Sequence, residues 1–101
     1  MSKIEFRTDK DILYISLGGR IDASNAAEVE SSIAEIRKAN QGMHTVLDAD
    51  NLEYISSAGL RVLLSAQKKM QKIGSMTVKN VCPEVMDVFE MTGFADILTI
   101  E

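Results

Sequence analysis

The length, composition and charge of the chain limit what it can be. With 101 residues there is room for one hydrophobic core, so we expect one domain over residues 1–101. Apolar residues make up 46% of the chain and charged residues 26%, a balance that favours a folded globular protein over a disordered one. The net charge of −4 argues against a nucleic-acid partner, because binding to phosphates requires clustered lysine and arginine.

The sequence also indicates where the protein works. No run of about 18 apolar residues is present, so we expect neither a membrane-spanning helix nor a membrane partner. The N-terminus becomes acidic at Glu5, which is too early for a signal peptide. Cys82 is the only cysteine and cannot form an internal disulfide bond, which favours a reducing, cytoplasmic location.

The first part of the chain has the pattern of a hairpin followed by a helix. Alternating apolar and polar residues predict a strand over residues 4–8 and a more apolar strand over residues 12–17. The short polar turn between them favours antiparallel pairing. We expect the glycine pair at positions 18 and 19 to end the second strand, and Ser24 or Asn25 to cap the helix that follows.

Helices and strands alternate in the middle of the chain. The first helix is expected to end at Gly42, and its apolar face is formed by Ala26, Val29, Ile33 and Ile36. A third strand is predicted over residues 44–49, followed by an acidic turn at residues 48–51. The second helix is predicted over residues 57–73, with Gly74 ending it.

Three further elements complete the chain. A fourth strand is predicted over residues 76–81. The third helix begins at Pro83, because proline suits a first helical turn, and Gly93 closes it. A short last strand is predicted over residues 97–100.

The predicted order of elements is β-β-α-β-α-β-α-β. Strands that alternate with helices favour parallel pairing, so the predicted fold class is α/β with a mostly parallel sheet. The first and fourth strands alternate instead of being apolar throughout, so we expect the helices to lie mainly on one face of the sheet. Ile12, Tyr14 and Val46 would lie on the other face and need cover from a partner or a second copy.

Ser56 and Ser57 lie where the third strand passes to the second helix, and they could be a nucleophile pair, a phosphate acceptor or N-caps. A hydrolase nucleophile needs a glycine two residues before the serine, where Ile55 stands, and a histidine base. His44 is the only histidine, and it begins the third strand instead of ending it. We therefore expect no catalytic residues and no enzyme activity.

Acidic residues cluster just before the two serines. Asp48, Asp50 and Glu53 could bind a metal or accept a phosphoryl group, but the C-terminal segment lacks the lysine that a receiver domain has at a late strand end. Solvated turn carboxylates are the simpler interpretation. Glycine-rich phosphate-binding loops are absent from the sequence, and we expect neither a cofactor nor a metal.

The start of the second helix could nevertheless carry a phosphate on a serine. A phosphate there would meet free backbone N–H groups and the positive end of the helix dipole. We therefore expect the fold to tolerate phosphorylation at this point. The added charge would instead change what can dock.

Three stretches of the sequence, in order, resemble those of one known family. Residues 48–60, which end in Ser-Ser-Ala-Gly-Leu, resemble the signature of bacterial anti-sigma factor antagonists, the STAS domain family. The Gly-Arg-Ile-Asp of residues 19–22 is similar to the family's pattern after its second strand. Residues 83–94 are similar to the family's last helix, with its proline, apolar pair and Thr-Gly end.

The resemblance implies a phosphorylation switch. Unphosphorylated members bind an anti-sigma factor that is also a serine kinase, which frees the sigma factor; the kinase phosphorylates the antagonist, and a PP2C-type phosphatase resets it. By position, Ser57 is implied as the phosphorylation site, with Ser56 as the second choice. Gly59 is expected to leave the acceptor uncrowded. The implied partner-binding residues are Asp22, Ser24, Ser56, Ser57, Ala58, Gly59 and Arg61.

One departure from the family pattern supports an alternative function. The family often has Asp at the position of Ser56, so a fixed negative charge is missing here. With the open sheet face, this suggests a non-switching STAS scaffold or an accessory subunit of a sensory or transport assembly. In either case we expect a monomer or a weak homodimer.

Overall fold

The computed structural model describes residues 3–40, 42–73 and 75–101. In chain order its elements are β1 (Lys3–Asp9), β2 (Ile12–Ile21), α1 (Ala26–Ala39), β3 (His44–Ile55), α2 (Ser57–Ile73), β4 (Met76–Lys79) and α3 (Pro83–Thr92). A 3₁₀ turn at Phe94–Asp96 follows α3.

The strands form one mixed sheet in the order β1-β2-β3-β4. β1 and β2 are an antiparallel hairpin, whereas β3 runs parallel to β2 and β4 runs parallel to β3. The helices α1 and α2 supply the crossovers that parallel pairing requires. The predicted α/β class, the hairpin and the mostly parallel sheet are confirmed.

The hydrophobic core lies between one face of the sheet and the helices. Leu13, Ile15 and Leu17 alternate along β2 and are each at most 1% exposed, because successive side chains of a strand point to opposite faces. The helices contribute buried residues to the same cluster, among them Val29, Ile33, Leu60, Leu63, Val85 and Phe89. The helices therefore cover one face, as predicted.

No described helix covers the opposite face of the sheet. Ile12 and Tyr14 are half-buried there, but Val46 is only 3% exposed. Tyr14 of β2 and Thr77 of β4 flank Val46 in register, so neighbouring side chains within the sheet cover it. The expectation that Val46 needs cover from a partner or a second copy is therefore wrong.

Two strands are longer than the sequence pattern predicts. β2 continues through the glycine pair to Ile21, with shifts in its register to β3 and with Gly19 at a φ of 75°. A glycine adopts this left-handed conformation readily, so the strand can bend there and still remain paired. β3 likewise passes through the predicted acidic turn and reaches Ile55.

The ends of the helices are partly as predicted. α1 ends at Ala39, and Asn40 is its C-cap, with its Nδ2 donating to the carbonyl of Ile36 at 2.7 Å. Gly42 is therefore not the cap of α1. Gly93 caps α3 as predicted, with a φ of 78°.

The C-terminal part of the chain differs from a regular last strand. β4 ends at Lys79, and the 3₁₀ turn occupies the segment before the predicted strand. An isolated bridge between Val78 and Ile100 and an ion pair between Lys79 and Glu101 at 3.5 Å join the end of the chain to β4, without forming a further strand among the described residues. The predicted end of α2 at Gly74 lies outside the described residues.

Candidate functional site

The predicted site residues lie in two segments, residues 22–25 and residues 56–61, which together we call the rim. The first segment connects β2 to α1, and the second begins α2 directly after β3. Because β2 and β3 are parallel neighbours, their C-terminal ends lie at the same edge of the sheet. Open α/β sheets place their binding sites at this edge.

Backbone pairing fixes the two segments of the rim against each other. Ile21 and Ile55 are the last paired residues of β2 and β3. The N–H of Ser56 donates to the carbonyl of Ile21 at 2.9 Å, which extends the pairing by one residue. Asp22 and Ser57 come next in the two segments, so the structure brings them to one edge.

Ser56 holds the start of α2. Its carbonyl accepts the first helical hydrogen bond, from the N–H of Leu60 at 2.9 Å. Its hydroxyl Oγ accepts from the N–H of Gly59 at 3.3 Å, as the side chain of an N-cap residue does. Such a cap typically stabilises a protein by about 1 kcal/mol. The half-buried Ser56 hydroxyl is therefore part of the helix structure.

Ser57 is the first residue of α2, and its environment differs from that of Ser56. Its side chain is exposed, and its hydroxyl forms no hydrogen bond with another described residue. Arg61 is also exposed and lies four residues further along the helix, a spacing that places the two side chains on the same face. A group attached to Ser57 would thus project beside a guanidinium and the positive end of the helix dipole.

Asp22 organises the other segment of the rim. Its Oδ1 accepts from the backbone N–H of Ser24 at 2.9 Å and from the Ser24 hydroxyl at 2.5 Å. Asn25 adds two side-chain bonds: its Oδ1 accepts from the N–H of Asp22 at 2.9 Å, and its Nδ2 donates to the carbonyl of Arg20 at 2.8 Å. Asn25 also occupies the N-cap position of α1, one of the two that were predicted, but its side chain makes no capping hydrogen bond to the helix.

The hydrogen bonds from Ser24 make Asp22 more acidic. The bond from the Ser24 hydroxyl, followed by that from its backbone N–H, holds the pKa of Asp22 below its ordinary value. Both bonds favour the ionised carboxylate. At neutral pH the rim therefore carries a fixed negative charge at Asp22.

Removing the Ser24 hydroxyl is expected to raise the pKa of Asp22 toward its ordinary value. The pKa of Asp22 is lower in the folded state than in the unfolded state. These bonds therefore stabilise the fold fully at pH values above the unfolded-state pKa, and their contribution is lost as the pH falls through the folded-state pKa. An NMR titration of the Asp22 carboxyl in Ser24→Ala and in the unsubstituted protein measures the change. A Ser31→Ala variant, altered at an exposed serine of α1, is the control and should leave the Asp22 titration unmoved. An unchanged midpoint in Ser24→Ala would contradict this assignment.

Gly59 serves the packing of α2, not the surface of the rim. It is buried, and a Cβ at this position would lie 2.6 Å from Cγ1 of Ile55 and 2.8 Å from Cγ2 of Ile21. It would also lie 3.1 Å from the carbonyl oxygen of Ile21. The glycine therefore lets the helix start approach the ends of β2 and β3, a different role from leaving the acceptor uncrowded.

The exposure of the predicted site residues divides them into three groups. Exposed residues, which a partner can contact fully, occur in both segments of the rim. Ala58 is half-buried, and Gly59 is buried. The exposed residues are Ser24, Ser57 and Arg61, the half-buried ones are Asp22, Ser56 and Ala58, and the buried one is Gly59.

Sequence reasoning missed one pair of residues beside the rim. The guanidinium of Arg20 lies 4.2 Å from the centre of the Tyr54 ring, and Tyr54 is 40% exposed. The two residues are paired in the register of β2 and β3, immediately before the last paired isoleucines. Only this cross-strand register reveals the pair. Exposed tyrosine and arginine are common at protein–protein contacts, so we add both to the candidate surface.

His44 is placed far from the serines of the rim. It begins the twelve-residue β3, whereas Ser57 follows the end of that strand. Its Nδ1 shares a hydrogen bond with the Ser75 hydroxyl, and its Nε2 shares one with the Thr77 hydroxyl at 3.2 Å. His44 therefore cannot act as a general base for Ser57, since proton abstraction needs hydrogen-bond reach.

Asp48 is also committed to local structure. Its Oδ1 accepts from the N–H of Asp50 and from Nδ2 of Asn80, both at 3.0 Å. Within residues 3–40, 42–73 and 75–101, no group of three or more His, Cys, Asp or Glu side chains could hold a metal ion.

Among the helices that the structure describes, none is long and apolar enough to cross a membrane.

Comparison with known proteins agrees with this fold. The sequence profile of the STAS domain matches residues 3–101. The anti-sigma F factor antagonist of Paenibacillus polymyxa is 32% identical over 99 residues, which cover 97% of this chain and 85% of that protein.

Solved structures show the same arrangement of strands and helices. An anti-sigma factor antagonist from Mycobacterium paratuberculosis matches with a TM-score of 0.87 at 20% identity, over 99% of this chain and 85% of that one. The anti-sigma factor antagonist SpoIIAA in its unphosphorylated form matches with a TM-score of 0.78 at 16% identity, over 98% and 88% of the two chains. The phosphorylated form of SpoIIAA, a Bacillus cell fate determinant, gives 0.70 at 16% identity, over 100% and 91%. Since the profile covers nearly the whole sequence and the fold agrees with it, the chain belongs to the STAS domain family.

Proposed function

We propose that this protein is an anti-sigma factor antagonist whose binding is switched by phosphorylation of Ser57. Its relative in Paenibacillus polymyxa is named an anti-sigma F factor antagonist, and the two chains are 32% identical over 97% of this chain and 85% of that protein. In its unphosphorylated state the protein binds an anti-sigma factor and thereby frees a sigma factor. The partner is an anti-sigma factor with serine kinase activity, and the exchange takes place in the cytoplasm.

The observation that carries the proposal is the contrast between the two serines. The Ser56 hydroxyl caps α2, whereas the Ser57 hydroxyl is exposed and has no hydrogen-bond partner among the described residues. A kinase can thus reach Ser57 without opening the helix. The contrast favours Ser57 over Ser56 as the acceptor, and it favours a switch over a non-switching scaffold.

The chemistry at Ser57 is a transfer of the γ-phosphoryl group of ATP. A bond forms between the Ser57 oxygen and phosphorus, the bond to the leaving ADP breaks, and the hydroxyl proton passes to a base of the kinase. The product carries nearly two negative charges at the start of α2. Free N–H groups of the first helical turn and the guanidinium of Arg61 can accommodate that charge within the protein.

The consequence of phosphorylation falls on the partner. In the unmodified protein, the surface offered to the kinase includes Asp22, Ser24, Ala58 and Arg61 around a neutral hydroxyl. Adding a phosphate beside the ionised Asp22 turns this edge strongly negative, and a partner surface matched to the hydroxyl is then repelled. A PP2C-type phosphatase restores binding by hydrolysing the phosphate ester.

Phosphorylation by the partner kinase tests the proposal. The protein is incubated with ATP and its partner anti-sigma factor kinase, and the tryptic peptide of residues 39–61 is then fragmented in a mass spectrometer. We expect one phosphate, located on Ser57, in the unsubstituted protein and in Ser56→Ala. We expect none on this peptide in Ser57→Ala.

The controls separate a wrong site from an inactive kinase. Autophosphorylation or transfer to a generic substrate shows that the kinase is active. A phosphate on Ser56 in the unsubstituted protein would overturn the choice of acceptor. Stable binding to the active kinase without any phosphorylation would favour the scaffold function instead.

A further inference from the structure

The outer strand β1 has one edge that no described strand pairs. Its other edge pairs with β2 along the whole length of the strand, and at the opposite side of the sheet the C-terminal segment partly covers β4. Such an open edge is a template for a further strand. The sequence of β1 defines which strand would fit it.

The hairpin turn determines which backbone groups of β1 face outward. Asp9 pairs with Ile12 across the two-residue turn, and in such a turn the flanking residues are hydrogen-bonded to each other. Because the direction of these bonds alternates along an antiparallel strand, the N–H and C=O groups of Ile4, Phe6 and Thr8 point away from β2. These three residues are spaced symmetrically about Phe6.

The charges of β1 are also symmetric about Phe6, with opposite signs. The strand reads Lys-Ile-Glu-Phe-Arg-Thr-Asp. If a second copy of β1 runs antiparallel with Phe6 opposite Phe6, then Glu5 of each copy faces Arg7 of the other. Opposite charges directly across two strands stabilise their pairing.

Shifting this register by two residues brings like charges together. With Arg7 at the centre, Arg7 would face Arg7 and Glu5 would face Asp9, and with Glu5 at the centre, Glu5 would face Glu5. Like charges directly opposite are destabilising. The charge pattern therefore selects the register centred on Phe6, in which all three outward-facing residues of each strand, Ile4, Phe6 and Thr8, are paired.

Phe6 supplies apolar surface at the centre of this edge. It is 54% exposed, although it pairs in register with the fully buried Ile15. A strand added at the open edge would place a second Phe6 beside it and bury part of both rings. Arg7 lies over the Tyr14 ring at 4.0 Å, which holds its guanidinium on the uncovered face of the sheet.

We infer that two copies of this chain associate through their β1 strands, antiparallel and centred on Phe6, to form one continuous sheet with a two-fold axis. The interface is isologous, because the same edge is used by both copies. Ser57 follows β3, two strands away from this edge, so both phosphorylation sites of the dimer remain accessible. The dimer does not depend on the function proposed above.

Charge reversal in β1 tests the dimer. Sedimentation equilibrium of the full chain at low salt should show a dimer whose dissociation constant rises with added salt, since the charged pairs are exposed. Arg7→Glu places acidic residues opposite each other at two symmetric positions and should raise the dissociation constant roughly tenfold or more. Lys38→Glu, the same change in net charge on α1, should not.

The charge swap provides the decisive comparison. Glu5→Arg combined with Arg7→Glu restores opposite charges across the two-fold axis and should restore the dimer, although the contact of Arg7 with Tyr14 is lost. Hydrogen exchange at the Phe6 amide should slow with protein concentration in the dimerising proteins. A protein that stays monomeric at all concentrations, or a dimer that Arg7→Glu leaves intact, would overturn the inference.

Discussion

Replacing Ser57 with Asp is expected to lower affinity for the anti-sigma factor about a hundredfold, and Ser57→Ala is expected to keep it. Asp introduces a charge at the exposed start of α2, beside Asp22, whose low pKa keeps it ionised at neutral pH. Bringing like charges together in a contact that fits a neutral group costs several kcal/mol of binding free energy. A hundredfold loss of affinity corresponds to about 2.7 kcal/mol, which lies within that cost. Ser57→Ala removes only a hydroxyl without a hydrogen-bond partner in the described structure.

Titration calorimetry with the purified anti-sigma factor measures both affinities. Ser31→Asp is the matched control, since it adds the same charge at an exposed serine of α1, away from the rim. If Ser57→Asp binds as tightly as Ser57→Ala, phosphate at Ser57 cannot act by charge. If Ser31→Asp weakens binding equally, the effect is one of net charge and does not locate the contact.

Gly59→Ala is expected to destabilise the protein by about 2 kcal/mol, because an added methyl group in a filled space forces strain. The nearest atoms belong to two buried side chains and, at 3.1 Å, to the carbonyl oxygen of Ile21. That carbonyl accepts the hydrogen bond from Ser56, so it cannot move without loosening the link between the rim segments. Thermal unfolding should show a melting temperature lower by roughly 10 °C for a domain of this size.

A double-mutant cycle separates crowding from other causes. Ile55→Ala alone creates a cavity, but combined with Gly59→Ala it removes the closest contact, so the double variant should be more stable than the sum of the two single changes by about 1 kcal/mol. Gly42→Ala serves as the control. A Cβ added at Gly42 would meet nothing within 4 Å. Alanine there is destabilised only by the backbone φ of 86°, and Ile55→Ala cannot relieve that strain. Additive effects in the Gly59 cycle would contradict the packing role.

The helices could be predicted from the sequence more closely than the strands. α2 runs over residues 57–73 as predicted, and α3 begins at Pro83 and is capped by Gly93, because apolar spacing and end signals agree there. The length of β2 could not be predicted, since a glycine pair ends a strand in most contexts. Here β2 remains paired with β3 beyond Gly19, so the strand continues to Ile21.

The site illustrates the same limit at the level of single residues. Two adjacent serines before a helix look equivalent in the sequence, and the exact residue at which the helix begins decides which hydroxyl caps it and which is exposed. The role of Gly59 depends on Ile21, which is distant in sequence and arrives only through strand pairing. The contact of Arg20 with Tyr54 likewise follows from register.

The loop between β2 and α1 is ordered by its own side chains before any partner arrives. Asp22, Ser24 and Asn25 join in a closed set of hydrogen bonds, one of which reaches back to the carbonyl of Arg20. A partner that binds this loop loses little conformational entropy in ordering it, so more of the contact free energy appears as affinity. The loop is therefore preorganised for a partner, and a phosphate at the proposed site Ser57, in the other segment of the rim, can change the lifetime of a complex without refolding this loop.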